Sequence, residues 1–382
     1  MLKNRIAISS YFFVNGFLYA NLMARLPLLQ QNLNISNSLL GTLLFMVAIG
    51  SLATMPFTGW LSTRIGTHAI ARNTGLLFCI VLPFITLVPN VILAAVAMFF
   101  IGSFMGSMDV SMNGQAVYVE RLWGKPIITS FHAVFSIGMA LGAAAGSLFS
   151  YYTVPLFQHI LSVSFFCMVL VYSASFFLIN DKESNVAQQN EEGGSSFRWP
   201  TKAIVPLGLI AFCCMIGEGS MTDWTAIYMT KVVGENATFA ALAFGLYATG
   251  MTIGRLFGDR LAQYFGYRKL LIYDALLSFS GLLIALVYVS VPTTLLGFFV
   301  VGLGVASIVP IIFSLAGNTP GVNPAVGIAM ATTIGYTGFF VGPPSIGYIS
   351  DAAGLRLGLG FSLLLFSLML VLIFKYIEVK KP

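Results

Sequence analysis

Leu61-Ser62-Thr63-Arg64-Ile65-Gly66 and Leu261-Ala262-Gln263-Tyr264-Phe265-Gly266 stand 200 positions apart, 61 against 261. Each closes one long apolar run and ends on a glycine where the next begins. The register holds further out: Gly102, Gly138 and Gly142 return as Gly302, Gly338 and Gly342. A repeat of this length in an apolar chain describes two similar helical halves joined end to end. Membrane chains built this way place a substrate site between the halves, near mid-membrane, and rock about it. The repeat therefore predicts a transporter.

Composition points the same way. Hydrophobic residues make up 58% of the 382 residues and charged residues 8%. Soluble domains carry about 25% charge, so most of this chain belongs in lipid. A spanning helix takes about 20 apolar residues, which leaves room for a dozen. Apolar runs and their breaks predict spans at 6–28, 38–62, 69–89, 91–119, 126–151 and 155–179, then at 203–230, 238–262, 268–289, 292–317, 324–349 and 355–377. The expected fold is an all-α membrane protein with twelve transmembrane helices in two pseudo-symmetric six-helix bundles, over 1–180 and 203–382. Between them NDKESNVAQQNEEGGSSFRWPTK, from Asn180 to Lys202, is polar and reads as a flexible cytoplasmic linker over 181–202.

The basic residues orient the pattern. Of 19 Lys and Arg, all but Arg25, Lys231 and Arg356 fall on one side of it. By the positive-inside rule that side is the cytoplasm, and both termini lie there. The same bias explains the net charge of +6. Because these residues are scattered among short loops, no nucleic-acid partner is expected. The first apolar run continues past Tyr11 to Pro27 without a small-residue cleavage site, so no cleaved signal peptide is expected. Cys79, Cys167, Cys213 and Cys214 all lie in apolar runs without metal-ligand spacing. Neither a metal nor another cofactor is expected, and with no HExxH or GxSxG sequence neither is an enzyme.

Gly59-Trp60-Leu61-Ser62-Thr63-Arg64-Ile65-Gly66, between the second and third spans, resembles the G-x-L-[AS]-D-R-x-G loop of the major facilitator superfamily. Thr63 replaces the usual Asp. Gly254-Arg255-Leu256-Phe257-Gly258-Asp259-Arg260 with Phe265-Gly266-Tyr267-Arg268-Lys269 resembles the matching loop of the second half. Ala24-Arg25-Leu26-Pro27, Met108-Asp109-Val110-Ser111-Met112-Asn113, Ser130-Phe131-His132 and Glu218-Gly219-Ser220-Met221-Thr222-Asp223-Trp224 extend the likeness. Together they resemble a bacterial branch with rhizopine-transporter-like proteins, and distantly the fucose permeases. The resemblance implies the major facilitator fold, a bacterial inner-membrane location, a tight glycine turn at the first loop, and an Arg64 that pairs with an acid at a neighbouring helix end. Glu120 is the candidate partner.

Ionisable groups within a span cost roughly 2.5–3.5 kcal/mol, so each is a functional candidate. Asp109, Glu218, Asp223 and Asp274 qualify. Gly102, Gly106, Asp109 and Asn113 follow i, i+4, i+7, i+11 and share one helix face, a close-packed surface lining a polar cavity. Gly217 and Gly219 flank Glu218 and predict a locally broken helix there, with Thr222 on the same face. Asp109 and Glu218 are the candidate proton-coupling groups, with His132 as a possible relay. Arg25 and Asp223 are placed to pair at the outer mouth, and Asp274 is expected to be structural. Tyr11, Asn15, Tyr19, Asn113, Gln115, Thr222, Trp224, Ser307, Ser314 and Tyr336 supply the amides, hydroxyls and rings that suit a polyhydroxylated ligand.

The expected function is alternating-access secondary transport by a monomer, proton-coupled, of a small polar solute such as a sugar or polyol. Proton-antiport export of organic cations or drugs stays open, as does a lipid-like substrate.

Overall fold

Backbone polar groups inside a bilayer must be satisfied within the segment, so long apolar runs become helices. A computed structural model describes residues 1–124, 127–180, 202–320, 322 and 324–377, and among them the regular structure is helical. The first half contains α1 (Leu2–Ala24), α2 (Leu26–Leu33), α3 (Asn37–Ile65), α4 (Thr67–Val81), α5 (Val91–Trp123), α6 (Ile128–Tyr151) and α7 (Leu156–Ser175). The second contains α8 (Val205–Tyr228), α9 (Ala237–Phe265), α10 (Tyr267–Val287), α11 (Val291–Val305), α12 (Ile308–Gly317), α13 (Pro324–Ala353) and α14 (Leu355–Tyr376). Among the described residues, 11 stretches are long and apolar enough to cross a membrane, with α11 and α12 forming one of them. The 30 residues of α13 extend about 45 Å at 1.5 Å per residue and complete the series. The all-α membrane architecture expected from the repeat is the one observed.

The chain packs as two units, Met1–Ile35 with Leu43–Ser196, and Ser36–Thr42 with Phe197–Pro382. Each has the same internal pairing. In the first, α1 packs on α6; in the second, α8 packs on α13. Likewise α5 crosses α3 as α11 crosses α9. The repeated glycines stand at these crossings. A Cβ on Gly102 would run into the main-chain oxygen of Val47, and one on Gly302 into that of Tyr247. One on Gly138 would strike Phe13 and one on Gly338 would strike Phe212. Small residues let the backbones touch there, so Gly102 and Gly106 are buried in a helix contact rather than lining a cavity.

Two local expectations change. The helix α3 runs through Gly59 to Ile65, so the turn comes only at Gly66. There φ is 84° and ψ 151°, and at Gly266 they are 77° and 157°, a region open essentially to glycine alone. Helix α8 continues unbroken past Gly217, Glu218 and Gly219. The breaks in the second half fall instead at Ala306–Ser307, between α11 and α12, and at the π turn Met229–Val233.

Asp351, exposed at the end of α13, organises the start of α3. Its carboxylate accepts hydrogen bonds from the amides of Asn37 at 3.0 Å and Ser38 at 2.8 Å, which is why Ser36–Thr42 packs with the second unit. Partial burial acts to raise its pKa. Hydrogen bonds from Ser38, the Ser36 side chain and the Asn37 amide outweigh this and hold the carboxyl below its ordinary value. A carboxylate depressed in the folded state adds stability above its unfolded pKa near 4, and that stability is lost as pH falls through the folded value. Asp351→Asn is therefore expected to lower the melting temperature at pH 7 by about 1–2 °C. The gap from wild type should narrow as pH falls below about 4, in thermal scans of purified protein. A gap that stays constant over that range would remove the carboxylate from this role.

Candidate functional site

In the first unit the half-buried Asp109 and Asn113 continue the face of α5 that holds Gly102 and Gly106 against α3. The amide of Asn113 donates to the main-chain oxygen of Asp109 at 2.9 Å and to its Oδ1 at 3.2 Å. No cation meets this carboxylate among the described residues. The result is a carboxyl held by one neutral donor, near the middle of a helix long and apolar enough to cross a membrane.

The other polar groups expected around it have different surroundings. Tyr11 is fully buried and donates to the main chain of Val171 at 3.3 Å, packing α1 on α7. Gln115 is also fully buried. Its amide donates to Thr67 at 2.9 Å and to the main-chain oxygen of Ile179 at 2.8 Å, and its oxygen accepts from Ile179 N at 3.0 Å. It is a brace tying α5 to the end of the sixth span, not a ligand in a central cavity. Asn15 is buried with its amide 3.9 Å from the thioether of Met112 on α5. Tyr19 is half-buried further along α1.

In the second unit, Oε1 of Glu218 accepts from Nη2 of Arg255 on α9 at 3.1 Å, with both side chains about one-fifth exposed, 19% and 23%. Tyr247 donates to the Glu218 main-chain oxygen at 3.3 Å, and Thr222 to the same oxygen at 2.9 Å. Thr222 thus serves its own helix. Ser307, expected in the cavity, sits at the break before α12 and donates to the buried Asp274 of α10. This satisfies an otherwise costly carboxyl and supports its structural reading. Trp224 and Asp223 are buried in α8, and the indole N–H of Trp224 lacks a partner among the described residues. Ser314 lies 3.5 Å from the hydroxyl of Tyr267, near the end of α12 where the chain leaves the span. Tyr336 is partly exposed beside Phe339.

Of the proposed gate residues, Arg25, Arg64 and Glu120 engage within their own unit. Arg25, 4% exposed, donates to the main chain of Val154 at 3.0 Å and lies 3.5 Å from Nδ1 of His159. Nε2 of His159 is 2.8 Å from Oδ1 of Asn21, whose own amide donates to Phe17. This fixes the amide orientation, so Nε2 carries the proton and Nδ1 accepts from Arg25. Arg25 is an internal brace among α1, α6 and α7. The Arg64–Glu120 pair is replaced as well. The guanidinium of Arg64 lies over the Trp60 ring at 4.3 Å, while Glu120 accepts from the amides of Ile127 at 2.6 Å and Ile128 at 2.9 Å, at the start of α6. A carboxylate is favoured there by the free N–H groups and the helix dipole. His132 is exposed on the first turns of α6, edge-on to Phe12.

Arg255, Tyr247 and the Asn21–His159 pair were not singled out by the sequence reading. Arg255 carried a usable signal: it is an arginine inside the predicted span 238–262, where any charge needs a partner. His159 had none, because Asn21 and Arg25 lie more than a hundred residues away in sequence. Among the described residues no group of His, Cys, Asp or Glu has metal-binding geometry.

Comparison with known proteins identifies the family. The sequence profile of the Major Facilitator Superfamily matches residues 8–323 and again 207–382. An uncharacterised MFS-type transporter of Yersinia pestis is 31% identical over 359 residues, covering 94% of this chain and 92% of that protein. The membrane protein MosC of Rhizobium meliloti is 29% identical over 359 residues, covering 93% and 86%. A mutant of the nucleoside transporter NupG superposes with a TM-score of 0.77 at 10% identity, over 98% of this chain and 100% of that one. A bacterial homolog of the human lysosomal transporter Spinster, inward-facing and unoccupied, gives 0.72 at 12% over 97% and 95%. Both structural likenesses speak for the fold alone. Helices, repeat and relatives together establish that this chain belongs to the Major Facilitator Superfamily and is a multi-pass membrane transporter, not an enzyme.

Proposed function

We propose that the protein is a proton-coupled secondary transporter that moves a small polar solute by alternating access. In this reading it acts as a monomer in the bacterial inner membrane, with both termini cytoplasmic. Asp109 is its proton carrier. The observation that carries the reading is the Asp109–Asn113 pair, a carboxyl with an amide partner and no cation among the described residues. Such a group can hold a proton when the site is dry and release it when water enters, whereas a carboxylate already paired with a guanidinium has less reason to do so. Glu218, bound to Arg255, is assigned to an ion pair that opens and closes with solute or conformation, and Asp223 and Trp224 to the solute side of the second unit.

Proteoliposomes with an imposed pH gradient test the reading. Radiolabelled sugars, polyols and amino sugars are offered as solutes. Accumulation of one of them on an inward proton gradient, collapsing with a protonophore, is the expected result. Accumulation of organic cations driven by the opposite gradient would turn the reading to antiport, and solute movement indifferent to the gradient would end the coupling claim.

A further inference from the structure

We infer that the flank of the first unit holds an anionic phospholipid, its phosphate against Arg5 and one acyl chain along a groove between α6 and α7. Both helices pack on α1, and between them lies a cavity of about 310 Å³, floored by α1 and walled by Val134 and Leu170. Its floor runs from Leu2 past Arg5, Ile6 and Ser9 to Phe13. That is about 16 Å at 1.5 Å per residue, close to the ~15 Å hydrocarbon depth of one leaflet.

The groove faces away from the bundle interior. Tyr11 and Asn15 point from α1 towards Val171 and Met112, and Leu2, Ser9 and Phe13 lie 160–180° around the helix from Tyr11, at about 100° per residue. Leu2 and Ile6 are correspondingly exposed, at 63% and 57%. The mouth is basic. The guanidinium of Arg5 rests over the Trp123 ring at 5.2 Å and uses one donor on Ser130 at 3.3 Å, leaving further N–H groups for an anion. Ser9 adds a hydroxyl with no partner among the described residues, and no acid lines the groove. Positive charge, a hydroxyl and an apolar channel one leaflet deep match a phosphate headgroup with its chain, and a basic residue at such a surface favours anionic lipid.

This assignment rests on the cytoplasmic placement of the N-terminus. A reporter fused to the C-terminus, on the same side in that reading, tests the orientation separately. The lipid claim is tested on the full-length protein in neutral detergent. Retained lipid is measured by native mass spectrometry and thermal shift is read in parallel. The probes are dioleoyl phosphatidylglycerol, dioleoyl phosphatidylcholine and glycerol 3-phosphate. Wild type should retain about fivefold more of the anionic lipid than of the zwitterionic one, the preference one basic residue supplies. Arg5→Gln should reduce that ratio to about one, and Val134→Trp, which fills the groove, should lose both lipids; Leu170→Phe serves if that variant does not fold. Equal retention of the two lipids by wild type would overturn the proposal. So would an unchanged preference in R5Q, or full stabilisation by glycerol 3-phosphate alone.

Discussion

Asp109→Asn should abolish proton-driven accumulation while leaving the protein folded and able to exchange solute. One proton moved per solute across 100 mV is worth about 2.3 kcal/mol, an accumulation of about fifty-fold. With an amide in place of the carboxyl this ratio should fall to about one. Asn preserves the acceptor for the Asn113 amide, so the yield and melting temperature of D109N should match wild type. Counterflow of preloaded solute, which needs no net proton movement, should persist in the same vesicles. Driven accumulation at the wild-type level would show that another group carries the proton. Glu218→Gln should behave differently, because it removes the negative charge that pairs with the guanidinium of Arg255. Removing one partner of a buried ion pair costs about 3–5 kcal/mol, and this pair, one-fifth exposed, should fall towards the low end. Lost stability, not selective loss of coupling, is the signature expected of E218Q.

Gly102→Val and Gly302→Val should each disrupt the unit that contains them. A side chain at either position would enter the backbone of the facing helix, at Val47 or at Tyr247. Neither obstacle is a movable side-chain tip, so the helices must separate. Overpacking of a close-packed contact costs typically 1–3 kcal/mol, sometimes more, and separation also forfeits the dispersion contacts along the crossing. Loss of the monodisperse peak in gel filtration and a lower melting temperature are the expected readings. Gly360, whose added Cβ meets nothing within 4 Å, is the control and should tolerate valine. A G102V protein with wild-type melting behaviour would mean that the crossing is looser than the geometry requires.

These two predictions draw on different parts of what was legible. The glycines could be read because a backbone-to-backbone crossing admits one residue type at a fixed spacing. Gly66 and Gly266 were legible for a related reason, since their φ and ψ values exclude other residues. Apolar length made the spans readable, and the basic residues predicted an orientation. Partner choice was another matter. Glu120 and Arg64 are plausible mates by charge and by position along the chain, yet the open amides at the start of α6 take the carboxylate. Gln115 looked like a cavity amide and is a brace, because the end of the sixth span folds back onto it. The break expected beside Glu218 moved to Ser307, since glycine weakens a helix only where packing does not restore it.

What the sequence by itself determined is the class of protein, its helices, their twofold repetition and the places where backbones touch. Each follows from local demands: satisfied amides in lipid, enough apolar length, room for a crossing. Only the tertiary structure decided which buried charge meets which partner. It gave Arg255 to Glu218, Ser307 to Asp274, and His159 to Arg25 and Asn21, and among the described residues it left Asp109 with an amide alone. A hydrogen bond forms over about 3 Å, whereas helix periodicity places a side chain only on a face. Contacts between segments distant in the chain are therefore resolved by packing.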